Sequence, residues 1–218
     1  MSASVLEANC GLLEETPTYD PWVNLARDES LLTGDTALPA HRLWVNSDCV
    51  VLGRHLVPEE EVRLGYAHEA DIPVLRRISG GGAVFHDHGV LNYSIVCDAE
   101  SAGWNFAESL RLLSAPLLRT LDILGLDWVW KGENNVYVRD RKVSGSAEAR
   151  RNDRVLHHGS ILVAANLEKL NRVLKPGGRS RHACVANLNE FVPRLDMNRV
   201  RDLLRIQLTE YCRQQRES

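Results

Sequence analysis

RRISGGGAVFHDHGVLNYSIV, running from Arg76 to Val96, carries the strongest architectural signal in the chain. Two arginines lead into three consecutive glycines and then into an alternating apolar run. Three glycines in a row cost backbone entropy inside a helix or strand, so they persist where φ is positive or where the backbone must approach something closely. The flanks, Ile72 to Leu75 and Val90 to Val96, read as strands, so the loop is held between two sheet elements. A guanidinium on Arg76 or Arg77 offers a planar fork of donors to an anion. The N–H groups of Gly80, Gly81 and Gly82 can nest around the same charge, with the Ser79 hydroxyl beside them. That is the chemistry of a phosphate or carboxylate clamp. It is not a Walker loop, because no Gly-Lys-Ser/Thr follows, and not a dinucleotide fingerprint, because no helix pattern opens after it. The plainer alternative is a glycine-rich turn capped by solvated arginines.

Upstream of the loop, WVNLARDESLL from Trp22 reads as a helix with Leu25, Leu31 and Leu32 on one face. HRLWVNSDCVVLGRH then offers two short strands, RLWV and CVVLG, with Asn46, Ser47 and Asp48 as turn chemistry between them, which predicts a hairpin. Pro58 to Glu69 reads as a helix whose first turn carries proline and three glutamates. Residues 1–21, with Thr-Pro and Asp-Pro breaks, form an N-terminal arm, and 22–218 a single domain.

Downstream, Asn105 to Leu124 has helical periodicity interrupted at Pro116, with Gly125 as its stop. Strands follow at Trp128 to Trp130, Val136 to Val138, Lys142 to Ser144 and His158 to Val163, with Arg139-Asp140-Arg141 as a hairpin turn; together they predict an antiparallel meander. A short helix from Leu167 to Leu174 closes on Lys-Pro-Gly-Gly, and a basic amphipathic helix, Met197 to Gln214, ends the pattern. Mixed, largely antiparallel sheets flanked by helices make an α+β fold.

The chain has 218 residues, a formal net charge of -3 and a pI near 6.2. That is enough for a substantial core and gives no broad basic footprint for nucleic acid. Five cysteines, Cys10, Cys49, Cys97, Cys184 and Cys212, are scattered without CxxC or zinc spacing, so reduced thiols and a cytoplasmic setting are expected. No segment approaches the roughly 18 apolar residues of a spanning helix, and the N-terminus lacks a basic-then-apolar leader.

A second constellation lies at Lys142, in KVSGSA. A strand lysine is ordinarily a solvated edge residue, but Gly145, Ser146 and Ala147 leave room for a ligand along the backbone. His157 and His158, adjacent on a strand, point to opposite faces, so at most one can serve a site. Neither can join the other in chelating one metal.

These motifs resemble the lipoate-protein ligase family, relatives of the biotin-protein ligases. Arg77, Ser79, Gly80, Gly81, Gly82, Ala83, Val84, Phe85, His86 and Asp87 match its arginine, serine, triple-glycine and Ala-Val-Phe-His-Asp signature. Further matches are Val50 to Arg54, an asparagine-led first helix, KVSGSA, His157-His158-Gly159-Ser160 and the ACVANLNEFVP block from Ala183. The resemblance implies the class II synthetase-like catalytic fold and a two-step reaction. Lipoate and ATP form lipoyl-AMP, and a lysine ε-amine on a lipoyl-domain or carrier protein then takes the acyl group. It implies Lys142 as the essential lysine. Arg77, Ser79, Gly80, Gly81, Gly82, Ala83, Asn134, Asn135, Gly145, Ser146, Ala147, His158 and Gly159 would bind ATP or lipoyl-AMP, with Mg2+ accompanying the nucleotide; metal ligands are not identified. Two positions depart from the pattern. Asn135 stands where the family usually has aspartate, with Glu133 a nearby substitute, and Val90 where many ligases have asparagine. The resemblance stops near Glu190, short of the accessory domain of long-form ligases, so a separate accessory subunit is a possible partner.

Two rival readings are a cysteine-dependent octanoyl or lipoyl transferase using Cys184 without ATP, and a non-catalytic ligand-binding subunit of a larger assembly. Neither nucleic acid nor membrane is expected as a partner.

Overall fold

The computed structural model describes residues 11–13, 17–176 and 184–217. Most of the predicted N-terminal arm, Cys10, Gly177 and Gly178 lie outside the described residues. Of the described parts of the arm, 11–13 pairs with the first strand through Leu12 and His41, and Tyr19 O accepts from Ser47 N at 2.8 Å. Two sheets face each other, and helices cover what remains exposed of them, in the α+β arrangement expected.

The first helix, α1 (Pro21–Thr33), begins where Asp20 caps the N–H groups of Trp22 and Val23, with proline at its first position. Its buried face carries Asn24 and Asp28 as well as Leu31 and Leu32. Strands β1 (Ala40–Trp44) and β2 (Cys49–Leu52) follow. They do not form the predicted hairpin. β1 joins a six-stranded sheet and β2 a three-stranded one, so Val45 to Asp48 is a crossover between sheets. All four residues of β2 are buried, which a hairpin with one solvated face would not require.

The helix predicted over Pro58 to Glu69 is two, α2 (Pro58–Glu61) and α3 (Leu64–Glu69), broken where Val62 leaves to bridge Leu174. Strands β3 (Val74–Arg76) and β4 (Val84–His86) flank the glycine loop. β2 lies between them, parallel to β3 and antiparallel to β4. Strand β5 (Val90–Asp98) alternates cleanly. Leu91, Tyr93, Ile95 and Cys97 enter one core, while Asn92, Ser94 and Val96 face the other way, and all are buried.

After the short α4 (Ala99–Ala102), the periodic region divides at Ser114 into α5 (Phe106–Leu113) and α6 (Ala115–Ile123), with Pro116 tolerated in the first turn of the second. Strands β6 (Trp128–Lys131), β7 (Asn135–Val138), β8 (Arg141–Arg151) and β9 (Arg154–Leu162) then form the meander. Arg139 and Asp140, both at positive φ, make the predicted turn. β8 and β9 run far longer than predicted, because their polar residues face a site and other polar side chains rather than water. The large sheet has the order β1-β5-β9-β8-β7-β6. Helices α7 (Leu167–Val173) and α8 (Met197–Glu217) complete the chain.

The main core lies between the large sheet and α5, α6 and α8, where Leu113, Leu117, Leu121, Val200, Leu204 and Leu208 meet Tyr93, Ile95 and Ile161. A second cluster joins the small sheet to α3 and α7 through Leu52, Phe85, Ala67, Leu170 and Val173. The opposite face of the large sheet is partly covered by α1, through Leu31 and Leu32 on Val96 and Leu156. The uncovered part of that face looks across at the small sheet.

Candidate active site

Between the sheets lies a cavity of about 350 Å³. Its floor is one row of residues crossing the large sheet in register. The row runs Trp44, Asn92, Ser160, Gly145, Asn135, from β1 through β5, β9 and β8 to β7. Directly opposed residues share a face, so these side chains all point into the same space. The facing wall is Val51, Val84 and His86 of the small sheet, with Leu25 of α1 and the end of the glycine loop.

Lys142 reaches this space through a backbone irregularity. Pairing between β7 and β8 passes from Tyr137–Lys142 to Val136–Ser144, leaving Val143 as an extra residue. In a regular strand Lys142 and Gly145, an odd number of residues apart, would face opposite ways. The bulge restores them to one face, and Val143 goes fully into the core. A Cβ added at Gly145 would stand 2.9 Å from Lys142 Nζ and 3.4 Å from Asn135 Oδ1, so the missing side chain is the room the ammonium occupies. The Lys142 backbone is fixed by the next segment, donating to Cys184 O at 2.9 Å and accepting from Ala186 N at 2.9 Å.

Among the described residues, those that line the cavity include no carboxylate. Asn135 is neutral, and its Nδ2 donates to Asn134 Oδ1 at 2.9 Å; Asn134 Nδ2 in turn donates to Ser146 O at 2.6 Å. Glu133 is exposed and outside the lining, so it does not stand in for the missing aspartate. Burial, reinforced by the Arg77 charge, pushes the Lys142 ammonium down to about 8. Although the residue is only half-buried, the cavity walls surround its amine. A bound anion would be its counter-ion.

Arg77 is turned into the loop it precedes. Nε donates to Ser79 Oγ at 2.9 Å, Nη1 to Val51 O at 3.2 Å, and Nη2 to Gly80 O at 2.6 Å and Gly82 O at 2.9 Å. Arg76 is similarly engaged, with Gly53 O, Arg54 O and Leu56 O. The expected fork of free donors is therefore a brace. Burial brings the Arg77 guanidinium down to about 10, still cationic at neutral pH. With its carbonyls turned to Arg77, the loop leaves the N–H groups of Gly80, Gly81 and Gly82 with no hydrogen bond among the described residues. Gly81 sits at φ 86°, and its carbonyl lies 2.0 Å from where a Cβ on Gly53 would be, so loop and β2 touch backbone to backbone.

His158 faces the cavity and His157 the core, as their adjacency on a strand requires. His157 Nε2 lies 3.2 Å from Tyr93 Oη and 3.3 Å from Ser114 Oγ. His158 is held between Ser79 and Asp28. Of the residues expected from sequence, Arg77, Gly82, Ala83, Asn134, Asn135, Lys142, Gly145, Ser146, Ala147, His158 and Gly159 meet around the cavity. Ser79, Gly80 and Gly81 stand behind it. Cys184 is exposed and is not among the lining residues.

Sequence reading passed over Leu25, Trp44, Asn92, Lys131 and Tyr137, which also line the space, and the buried ion pair of Asp28 with Arg42 at 2.9 Å. Asn24 and Asp28 were the available signal: two polar residues one helical turn apart on the face that carries Leu31 and Leu32. Asn92 Nδ2 and His86 Nε2, both on lining residues, have no hydrogen-bond partner among the described residues. Burial, then the Arg77 charge, takes His86 down to about 3, so its ring is neutral.

The described residues contain no group of three His, Cys, Asp or Glu suited to a metal ion. No helix among them is long and apolar enough to cross a membrane.

Residues 20–209 match the family described as the lipoyl protein ligase A/B catalytic domain. Lipoate-protein ligase A of Psychrobacter cryohalolentis is 35% identical over 205 residues, covering 89% of this chain and 58% of the relative. The chain thus spans little more than half the length of that relative. Among solved structures, the bi-partite lipoate protein ligase of Thermoplasma acidophilum, studied with its E2 lipoyl domain, superposes with a TM-score of 0.79 at 33% identity, covering 92% of this chain and 82% of that one. A lipoate-protein ligase A bound with ATP gives 0.78 at 32% identity, covering 92% and 83%.

Proposed function

The chain belongs to the lipoyl protein ligase A/B catalytic-domain family, and on that premise we propose that it activates lipoate with ATP and transfers the lipoyl group to a lysine of a lipoyl domain. In the first step a lipoate carboxylate oxygen attacks the α-phosphorus of ATP, and pyrophosphate leaves. In the second, the acceptor ε-amine attacks the acyl carbon, and AMP leaves with the bonding pair. The observation that carries this reading is the meeting of the Arg77-braced glycine loop and Lys142 in one cavity without lining carboxylates.

Lys142 neutralises the lipoate carboxylate as it approaches the nucleotide, and later the charge growing on the carbonyl oxygen during transfer. Of the glycine loop's N–H groups left unpaired among the described residues, that of Gly82, a lining residue, is available to a phosphate oxygen. The sheet row from Gly145 to Asn92 spans two strand spacings, about 10 Å, giving an extended acyl chain a floor to lie on. An acyl-adenylate is already activated, so positioning is most of what remains. Magnesium would arrive with ATP as part of the substrate. The cavity's amides and cations do not build a carboxylate site for it.

The lipoyl domain studied with the Thermoplasma ligase supports a lipoyl-domain acceptor. The buried thiols of Cys49, Cys97 and Cys212 fit a reducing, cytoplasmic setting. The rival cysteine transferase is disfavoured because Cys184 is outside the cavity lining.

The test is incubation of the purified chain with a lipoyl-domain acceptor, lipoate and ATP, beside the same mixture with synthetic lipoyl-AMP in place of lipoate and ATP. Mass gain on the acceptor in both arms is expected. Gain only from lipoyl-AMP would assign adenylation to a second polypeptide, a division the bi-partite Thermoplasma ligase makes reasonable. No gain in either arm would refute the reading.

A further inference from the structure

From the cavity wall inward, four side chains form a continuous hydrogen-bonded chain, with Arg77 and His158 in the lining and Ser79 and Asp28 behind them. Arg77 Nε lies 2.9 Å from Ser79 Oγ, Ser79 Oγ 2.6 Å from His158 Nε2, and His158 Nδ1 2.8 Å from Asp28 Oδ2. The other carboxylate oxygen of Asp28 accepts from Arg42 Nη1 at 2.9 Å and Ser94 Oγ at 2.7 Å. Burial alone would raise the Asp28 carboxyl, but the His158 hydrogen bond, the Arg42 charge and the Ser94 hydrogen bond outweigh it and hold the group below its ordinary value.

With a neutral imidazole, one arrangement of protons satisfies every member of the chain. Asp28 is an ionised acceptor, so His158 Nδ1 donates to it. Arg77 keeps its protons, so Ser79 Oγ accepts from Nε. The Ser79 O–H is left to point at His158 Nε2, which accepts. Both imidazole nitrogens are engaged within the protein.

Serine, histidine and aspartate in this order reproduce the nucleophile–base–orienter geometry of a hydrolase, yet they do not make one here. The Ser79 hydroxyl is 1% exposed, lies outside the cavity lining and already receives a guanidinium N–H. What the chain reaches is Arg77, whose remaining contacts hold the carbonyls of Gly80 and Gly82.

We propose that His158 and Asp28 are positioning residues that act through Ser79 on Arg77, fixing the carbonyls of the glycine loop and so the place of Gly82 at the cavity wall, and that neither ring nitrogen of His158 touches the ligand. This rests on the ligase reading. It predicts coupling. Ser79→Ala and His158→Gln should each lower kcat/KM for lipoyl-AMP formation by about 10-fold or more, and the double variant should fall little below the worse single one, because both break the same chain. Ser79→Thr, which returns the hydroxyl, should recover most of the loss.

The cycle is run well below the melting temperature of each variant, with circular dichroism as the folding control. A multiplicative double variant would overturn the proposal, because it would mean His158 works independently of Ser79. If a variant fails to fold, the wild type carries the test. Nitrogen-15 NMR should find His158 protonated on Nδ1 and bare on Nε2, unchanged when a non-hydrolysable lipoyl-adenylate analogue binds. A proton moving to Nε2 on binding would overturn the proposal. A wild type inactive with both lipoate plus ATP and lipoyl-AMP would instead refute the ligase reading.

Discussion

Lys142 owes its place to a single extra residue. KVSGSA was legible as a site because small residues follow the lysine, but the bulge at Val143 that puts Lys142 and Gly145 on one face has no signature in composition or alternation. The consequence is a desolvated ammonium at about 8, against an ordinary 10.5. If its charge assists adenylation, kcat/KM for lipoyl-AMP formation falls about 10-fold per pH unit above that value, and Lys142→Arg removes this limb; a flat alkaline profile in the wild type contradicts it. The sign for stability is opposite. From about 8 to 10.5 the folded chain binds fewer protons than the unfolded one, so the cost of this buried charge is relieved as pH rises. Two glycines separate close approach from mere freedom. Gly53→Ala would drive a methyl into Gly81 O and should cost about 2 kcal/mol or more in denaturant unfolding, while Gly80→Ala, with nothing within 4 Å of the new carbon, should fold with wild-type stability. Cys184→Ala should leave ATP-dependent lipoylation intact, and an acyl-cysteine trapped on the wild type by mass spectrometry would reverse that assignment.

At the scale of elements, periodicity in the sequence suffices for α1, the break of the Asn105 to Leu124 pattern near Pro116, β5 and the final helix. The errors have physical causes. RLWV and CVVLG sit close in sequence with turn residues between them, and local chemistry alone predicts a hairpin. What separates them is tertiary: β1 pairs with β5 and β2 with β3 and β4, so each contributes to a different sheet. Alternation alone predicts β8 and β9 too short, because Arg150, Glu148 and His157 look like surface residues until their partners are seen. Glu148 accepts from Ser109 Oγ and Arg150 Nε, both at 2.6 Å. The same lesson applies to α1, which fastens to the large sheet by charge. Arg42 donates to Asp28, to Asn24 O and to Asn24 Oδ1, in a site 2% exposed. Arg42→Met should therefore cost about 3–5 kcal/mol, because it strands the Asp28 carboxylate. A loss below about 1 kcal/mol in denaturant unfolding would show that α1 is held by Leu31 and Leu32 alone.

For the whole molecule, the two motifs that stood out in sequence, residues 76–96 and 142–147, arrive from different sheets and close on one space. Their convergence was implied by resemblance, and the register of the sheets supplies its physical basis. The small sheet presents the glycine loop from one side, and the large sheet presents Lys142 and a row of small or amide side chains from the other. The central claim is that these two halves work on one acyl-adenylate. It is tested most directly by giving Lys142→Ala preformed lipoyl-AMP and a lipoyl-domain acceptor and following the acceptor's mass. The account predicts that transfer is lost while the variant stays folded, and transfer at the wild-type rate would contradict it.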